Sequence, residues 1–285
     1  MKKITGHIVL VAGSLLASVA ASAAEQLTVA PGIDLAFKSS SFDFQIGGGS
    51  NGISLKPNYT TLTPSLAMNH GRFYGVAAYE FTVNDWNSEG LEVNSPSDST
   101  LTQETFERNE TSLTLGYRVF EGSRLFGPVS IFGGYLRGAS GWHSLAFNDN
   151  AGVVSIEAIS VDFKEKGFFL GANYSHSIGN KGTLSVSAAY GALDGLFQDV
   201  ETSGGGSSIY QDLFSKSTGL SASVAWNGTI SGNMNYRVGM KYINYSFDVD
   251  KIEDKIDGSV ITLPSGQIKI KESIYSFYFG VVNYF

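Results

Sequence analysis

Apolar residues alternate with small or polar ones along most of this chain, a period of two that reads as β-strand, and helical periodicity is hard to find. Thr111, Leu113, Leu115, Tyr117 and Val119 alternate with Ser112, Thr114, Gly116 and Arg118. Leu184, Val186, Ala188 and Tyr190 alternate with Ser185, Ser187, Ala189 and Gly191, and Leu220, Ala222, Val224 and Trp226 with Ser221, Ser223 and Ala225. Phe73, Gly75, Ala77, Tyr79, Phe81 and Val83 share a face opposite Glu80 and Thr82. One segment changes phase: Tyr236, Val238, Met240 and Tyr242 are apolar on the even face, whereas Ile243, Tyr245 and Phe247 are apolar on the odd one. A bulge near Tyr242 reconciles the two halves, and so does a strand that leaves a membrane at that point.

The connections alternate in length. Short turns fall at Asn69–Gly71, Glu121–Ser123, Gly179–Gly182 and Ser231–Asn233. Longer polar stretches lie at Gly47–Gly52, Asn84–Gln103, Asn148–Gly152, Asp199–Gln211 and Asp250–Gln267. Ten strands are predicted between them, over 27–46, 53–68, 72–83, 104–119, 128–147, 153–178, 183–198, 212–230, 234–249 and 268–285, with eight or twelve as the other even counts. An even number, short turns at one rim and longer loops at the other are the layout of a transmembrane antiparallel up-and-down barrel. Every segment exceeds the roughly 9–11 tilted residues that cross a bilayer. A secreted sandwich or small soluble barrel is the competing fold, with its apolar face turned inward. Placement of Trp86, Trp142, Trp226 and Tyr236 near strand ends, as in interfacial aromatic girdles, favours the membrane barrel.

At the N-terminus, Lys2 and Lys3 precede the apolar run Ile8–Ala17, and Ala21 and Ala23 supply a small-residue exit. These are the three parts of a secretory signal peptide, so 1–23 is expected to be removed and 24–285 to form a single barrel domain. The mature chain then carries 17 basic and 26 acidic side chains, a formal net charge of −9. That balance argues against nucleic acid as a partner. With no cysteine there is neither a disulfide framework nor a thiolate metal site, and no cofactor is expected. Charged residues make up 16% against the roughly 25% of ordinary globular chains, and a mean hydropathy near zero (+0.01) accompanies abundant Phe and Tyr.

If the apolar faces meet lipid, the alternation directs Asp34, Glu80, Arg108, Glu110, Arg118, Arg137, Arg237 and Lys241 into the lumen. Arg or Lys toward lipid at mid-membrane costs roughly 2–4 kcal/mol, so inward is the low-energy direction. Arg108 is the expected partner of Glu80, with Glu110 beside it.

The chain ends Tyr275-Ser-Phe-Tyr-Phe-Gly-Val-Val-Asn-Tyr-Phe285. It resembles the closing strand of Gram-negative outer-membrane β-barrel proteins, which ends in Phe behind alternating apolar residues. Tyr275, Phe277, Phe279, Val281 and Phe285 match that pattern and Asn283 departs from it. The resemblance implies export to the outer membrane, recognition by the barrel-assembly machinery, and outer-membrane lipid as the surrounding partner.

Catalytic constellations are sparse. The strand count resembles the omptin proteases, which set an acidic pair against an Asp-His pair across the rim. Asp248-Val249-Asp250 has the acidic spacing, but no Asp-x-His occurs. A barrel phospholipase needs a Ser beside a His on one face. The neighbours here, His143-Ser144 and Ser175-His176-Ser177, are adjacent in sequence and so point to opposite faces. Gly47–Gly49 and Gly204–Gly206 lack the Lys-Ser/Thr and helix of a phosphate loop. Asp248, Asp250, Glu253, Asp254 and Asp257 are interspersed with Lys251 and Lys255 and lack calcium-loop spacing. The expectation is therefore a non-enzymatic barrel. A narrow porin-like channel for small solutes or ions is favoured by the inner Ser and Gly; a plugged barrel with a surface-exposed structural, adhesion or receptor role is the alternative, and a loop-rim hydrolase ranks below both.

Overall fold

β-Branched and aromatic residues in period-two runs, with few prolines to interrupt a ladder, leave each segment one way to satisfy its backbone: pairing with the next. The computed structural model describes residues 27–46, 53–86, 92–93, 100–123, 126–150, 153–204 and 207–285; the expected leader 1–23 lies outside them. Ten long strands are present: β1 (Thr28–Ile46), β2 (Asn58–His70), β3 (Phe73–Trp86), β4 (Thr100–Phe120), β5 (Val129–Asn150), β6 (Val153–Ser177), β7 (Thr183–Gly204), β8 (Ser207–Ser231), β9 (Met234–Asp254) and β10 (Ile268–Asn283). Each pairs antiparallel with its sequence neighbours, and β10 also pairs with β1, Phe277 opposite Phe37, which closes the sheet into a barrel. Three short strands, Ile53–Leu55, Glu92–Val93 and Val260–Thr262, add to the long-strand end.

Two of the connections expected to be long are mostly strand. β5 and β6 pair to Asn150 opposite Val153, and β7 and β8 to Gly204 opposite Ser207. These tips read as loop because they carry no continuous apolar face, yet their backbones extend the ladder. In the segment expected at 53–68, Pro57 separates Ile53–Leu55 from β2, and its carbonyl accepts the N–H of Ser40 at 2.9 Å.

The barrel inverts its polarity along its axis. Over its lower half, toward the short turns, the outward residues are apolar: Ile33, Leu35 and Phe37 on β1, Leu113 and Leu115 on β4, Phe168 and Leu170 on β6, Phe277 and Phe279 on β10. The inward positions there hold Asp34, Ser112, Thr114, Asn173, Ser185 and Arg237. Over the upper half the faces exchange. Phe42, Phe106, Trp142, Phe163, Phe197 and Phe247 pack inside as one cluster, while Glu107, Lys164, Asp194, Lys216 and Lys271 point out. Strand β9 shows the exchange without a bulge, because its register against β10 runs unbroken from Asn235–Val282 to Asp248–Lys269. The phase change after Tyr242 is therefore not a bulge: the side-chain alternation is constant, and the apolar residues move from the outer face to the inner one.

Aromatic placement follows the same logic. Tyr135, Tyr190, Tyr242 and Tyr275 ring the upper edge of the apolar belt on its outer face. At the lower edge the Trp226 indole N–H donates to the Tyr236 hydroxyl at 3.2 Å. Trp142, expected in a girdle, is instead buried in the upper core, because the outside of β5 at its height is already past the belt. The side chain of Trp86 lies outside what is described.

The C-terminus takes part in closure. Phe285 N–H donates to the Val29 carbonyl at 2.9 Å and Val29 N–H to the Phe285 carbonyl at 3.2 Å, and Tyr275, Phe277, Phe279, Val281 and Phe285 share the outer face of β10. Deleting Phe285 removes both bonds and the last outward ring. The yield of folded barrel, read as the heat-sensitive band on a gel, is expected to fall more than on trimming the connection between β3 and β4; equal yields would remove any special role for this residue.

Candidate functional site

At the plane where polarity inverts, the lumen is crossed by a buried ionic layer. Arg108, on an inward position of β4, donates from Nη1 to Glu272 of β10 at 2.6 Å and to the Ser140 hydroxyl of β5 at 3.4 Å. Its Nη2 donates to Glu165 of β6 at 2.5 Å and to Glu110 at 3.1 Å. One guanidinium fork thus ties four strands, β4, β5, β6 and β10, across the lumen. Arg108, Glu165 and Glu272 are at most 3% exposed, so the layer excludes solvent. Beside it, Lys38 of β1 pairs with Glu80 of β3, which also accepts from the Thr63 hydroxyl at 3.5 Å.

Toward the short-turn end a second pair, Asp34 with Arg237, bridges β1 and β9, and the Arg237 guanidinium stands 5.6 Å from the centre of the Tyr278 ring. Gly280 makes room for it: a Cβ there would lie 1.7 Å from Asp34 Oδ1, so no larger residue fits without displacing the carboxylate. Other inner glycines are roofed by rings from the adjacent strand, Gly116 by Tyr74 and Gly171 by Phe132. Gly116 and Gly171 thus make room for aromatic rings, whereas Gly191, with Ser187, Ser221 and Ser223, borders the open volume that the small inner residues suggested.

Between the ionic layer and the turns there remains a cavity of about 90 Å³ bordered by Ser112, Thr114, Asn173, Ser187, Ser223 and Lys241. That volume corresponds to on the order of three waters. The Ser187 and Ser223 hydroxyls are 2.7 Å apart. Above the ionic layer, Phe163 stacks on Phe197 with ring centroids 4.3 Å apart and meets Phe247 edge-on at 5.0 Å, and Phe42 and Tyr59 pack against Phe106.

Of the residues directed inward by the alternation, Asp34, Glu80, Arg108, Glu110, Arg118, Arg237 and Lys241 occupy inward positions. Arg137 does not. On β5 the inward set is Leu136, Gly138, Ser140 and Trp142, so Arg137 is exposed on the outer face, immediately above the belt where an outward cation carries no penalty. The partner expected for Glu80 is also corrected: Lys38, not Arg108, reaches it, because β1 faces β3 across β2 while Arg108 is drawn to the three carboxylates of its own layer.

Sequence reasoning passed over Lys38, Glu165 and Glu272. Two of them carried a usable signal, since Lys38 shares parity with Asp34, and Glu272 is out of phase with Tyr275 and Phe277. Glu165 stands between Lys164 and Lys166 in a stretch with Phe163, Phe168 and Phe169 on both parities, and nothing local gives its direction.

No family's sequence profile matches the chain, and no curated protein matches it in sequence. Among solved structures, the outer membrane protease OmpT from Escherichia coli superposes with a TM-score of 0.61 over 90% of this chain and 97% of that one, at 13% identity. The translocator domain of the autotransporter NalP from Neisseria meningitidis gives a TM-score of 0.44 at 14% identity, over 89% of this chain and 88% of that one, too distant for any argument. The chain has the closed ten-strand fold of Gram-negative outer-membrane β-barrels.

Proposed function

We propose that this chain is an outer-membrane barrel with a closed lumen, serving as a rigid platform whose long-strand end projects from the membrane and meets a partner at the cell surface. The belt supports the membrane placement: it covers 168–177 of β6 and 275–283 of β10, matching the roughly 9–11 tilted residues that cross a bilayer. The observation that carries the closed lumen is the stack of two seals, the Arg108 layer and the aromatic cluster above it. A water path would have to open both.

The channel reading draws its support from the cavity beneath the Arg108 layer, with Lys241 and several hydroxyls around it. Single-channel recording separates the two. The platform predicts a bilayer current indistinguishable from the baseline for the wild-type barrel, and also for Arg108→Ala, since the aromatic seal persists. Discrete conductance steps from the wild type would establish the channel instead.

A hydrolase at the rim finds little support in the acidic pair. Asp248 and Asp250 are on the outer face of β9, turned away from the mouth. Asp248 caps the β9–β10 connection, accepting from the Ser265 hydroxyl and from Gly266 N–H at 2.7 Å, bonds that hold its carboxyl below the usual carboxylate range.

A further inference from the structure

Arg137 stands directly opposite Lys166 in the β5–β6 register, both exposed on the outer face one step above the belt. Like charges directly opposite one another in a sheet are destabilising. Among the described residues, no carboxylate stands directly or diagonally opposite Arg137 to offset this. Across β4 it meets Thr111, diagonally Asn109 and Leu113, and across β6 its diagonal neighbours are Lys164 and Phe168. Lys166 faces Asp194 on its far side, an acid that Lys216 shares from the next strand, which leaves Arg137 without a counter-charge. Directly below the pair, Tyr135 and Phe168 meet edge to face at 5.1 Å, with Leu170 beyond them on the same outward face.

We propose that Arg137 and Lys166 hold the phosphate group of a lipid in the leaflet at the long-strand end, its acyl chain lying on Phe168, Leu170 and Tyr135. The inference rests on the membrane placement given above. An anion seated between the two cations converts their repulsion into two charge-assisted hydrogen bonds, and the planar guanidinium of Arg137 matches two phosphate oxygens at once. The apolar platform fixes the height: a lipid whose chain packs on Phe168 presents its headgroup at Arg137 and Lys166. Farther round the barrel the outward charges that stand opposite one another alternate in sign, Asp194 with Lys216 and Lys216 with Asp248. That contrast singles out the β5–β6 position.

The barrel folded in dodecyl maltoside, which carries no phosphate, is titrated with dioleoyl phosphatidic acid, and bound lipid is counted by native mass spectrometry alongside the urea midpoint. The wild type is expected to retain one phosphatidic acid and to gain stability with it. Arg137→Ala and Lys166→Glu are each expected to weaken that binding about tenfold, the loss of one hydrogen bond to a charged group. In maltoside alone Arg137→Ala should raise the midpoint by removing the repulsion, whereas a purely structural role for Arg137 predicts a fall. Retention of the lipid by both variants at wild-type affinity overturns the proposal, as does an equal gain from inorganic phosphate at the same concentration. A barrel with no heat-dependent gel shift in any membrane mimic refutes the membrane placement and this site with it; a shifted barrel whose variants bind alike refutes the site alone.

Discussion

Replacing Arg108 by alanine is expected to destabilise the folded barrel by about 3–5 kcal/mol, the cost of leaving buried charges without their partner. Glu165 and Glu272 are essentially inaccessible to solvent, and the guanidinium is the cation within 2.6 Å of both. Without it, these carboxylates and Glu110 face one another in a medium that solvates none of them. The loss is read from urea unfolding in detergent, by the denaturant midpoint and its slope. A quadruple variant, Arg108→Met with Glu110→Gln, Glu165→Gln and Glu272→Met, should recover most of the stability, because a buried ionic group contributes little net once all its members are replaced by matched apolar or neutral ones. A change of less than about 1 kcal/mol in Arg108→Ala would mean that water reaches the layer, and the closed lumen would fall with it.

The second large effect separates the two halves of β6. Phe163→Ala is expected to cost about 3–5 kcal/mol, since the ring is packed between Phe42, Phe197 and Phe247 and its removal leaves a cavity. Leu170→Arg is expected to cost about 2–4 kcal/mol in a bilayer, because Leu170, seven residues later on the same strand, is exposed on the outer face that the proposed membrane placement sets against lipid. The environments predict different responses. The Phe163 penalty should be the same in thin and thick bilayers, whereas the Leu170→Arg penalty should grow as the acyl chains lengthen. Lys164→Leu, on the outer face of β6 above the belt, serves as the near-neutral control. If the Phe163→Ala penalty tracked bilayer thickness too, the upper half of the barrel would lie within the membrane and the polarity inversion would have been misassigned.

Both predictions turn on a feature of which the sequence shows only one edge. In β9 the apolar residues move from even to odd positions after Tyr242, and this was legible as a choice between a bulge and an exit from the membrane. The uninterrupted ladder with β10 rules out the bulge. The girdle was partly legible: Trp226 and Tyr236 sit where the pattern put them, while Trp142 belongs to the upper core. A tryptophan near a strand end suits either environment, and local sequence does not say on which side of the inversion it falls.

Ten strands, their antiparallel succession, and the inward direction of Asp34, Glu80, Arg108, Glu110, Arg118, Arg237 and Lys241 were determined by the sequence alone. Strand pairing between chain neighbours and the strict two-residue alternation of side chains are local properties, and a period of two survives whatever the barrel encloses. Which charges meet, and whether the lumen is open, were decided only by the tertiary structure. Arg108 and Glu272 are 164 residues apart in sequence and come within 2.6 Å because closure brings β10 round to face β4. The direction of Arg137 was lost for the same kind of reason: on β5, Gly133, Gly134, Gly138 and Gly141 blank out both faces, so parity had to be taken from the register with β4 and β6. Gly116 and Gly171 read as empty space in the sequence, and only the partner strands reveal the rings of Tyr74 and Phe132 that fill them.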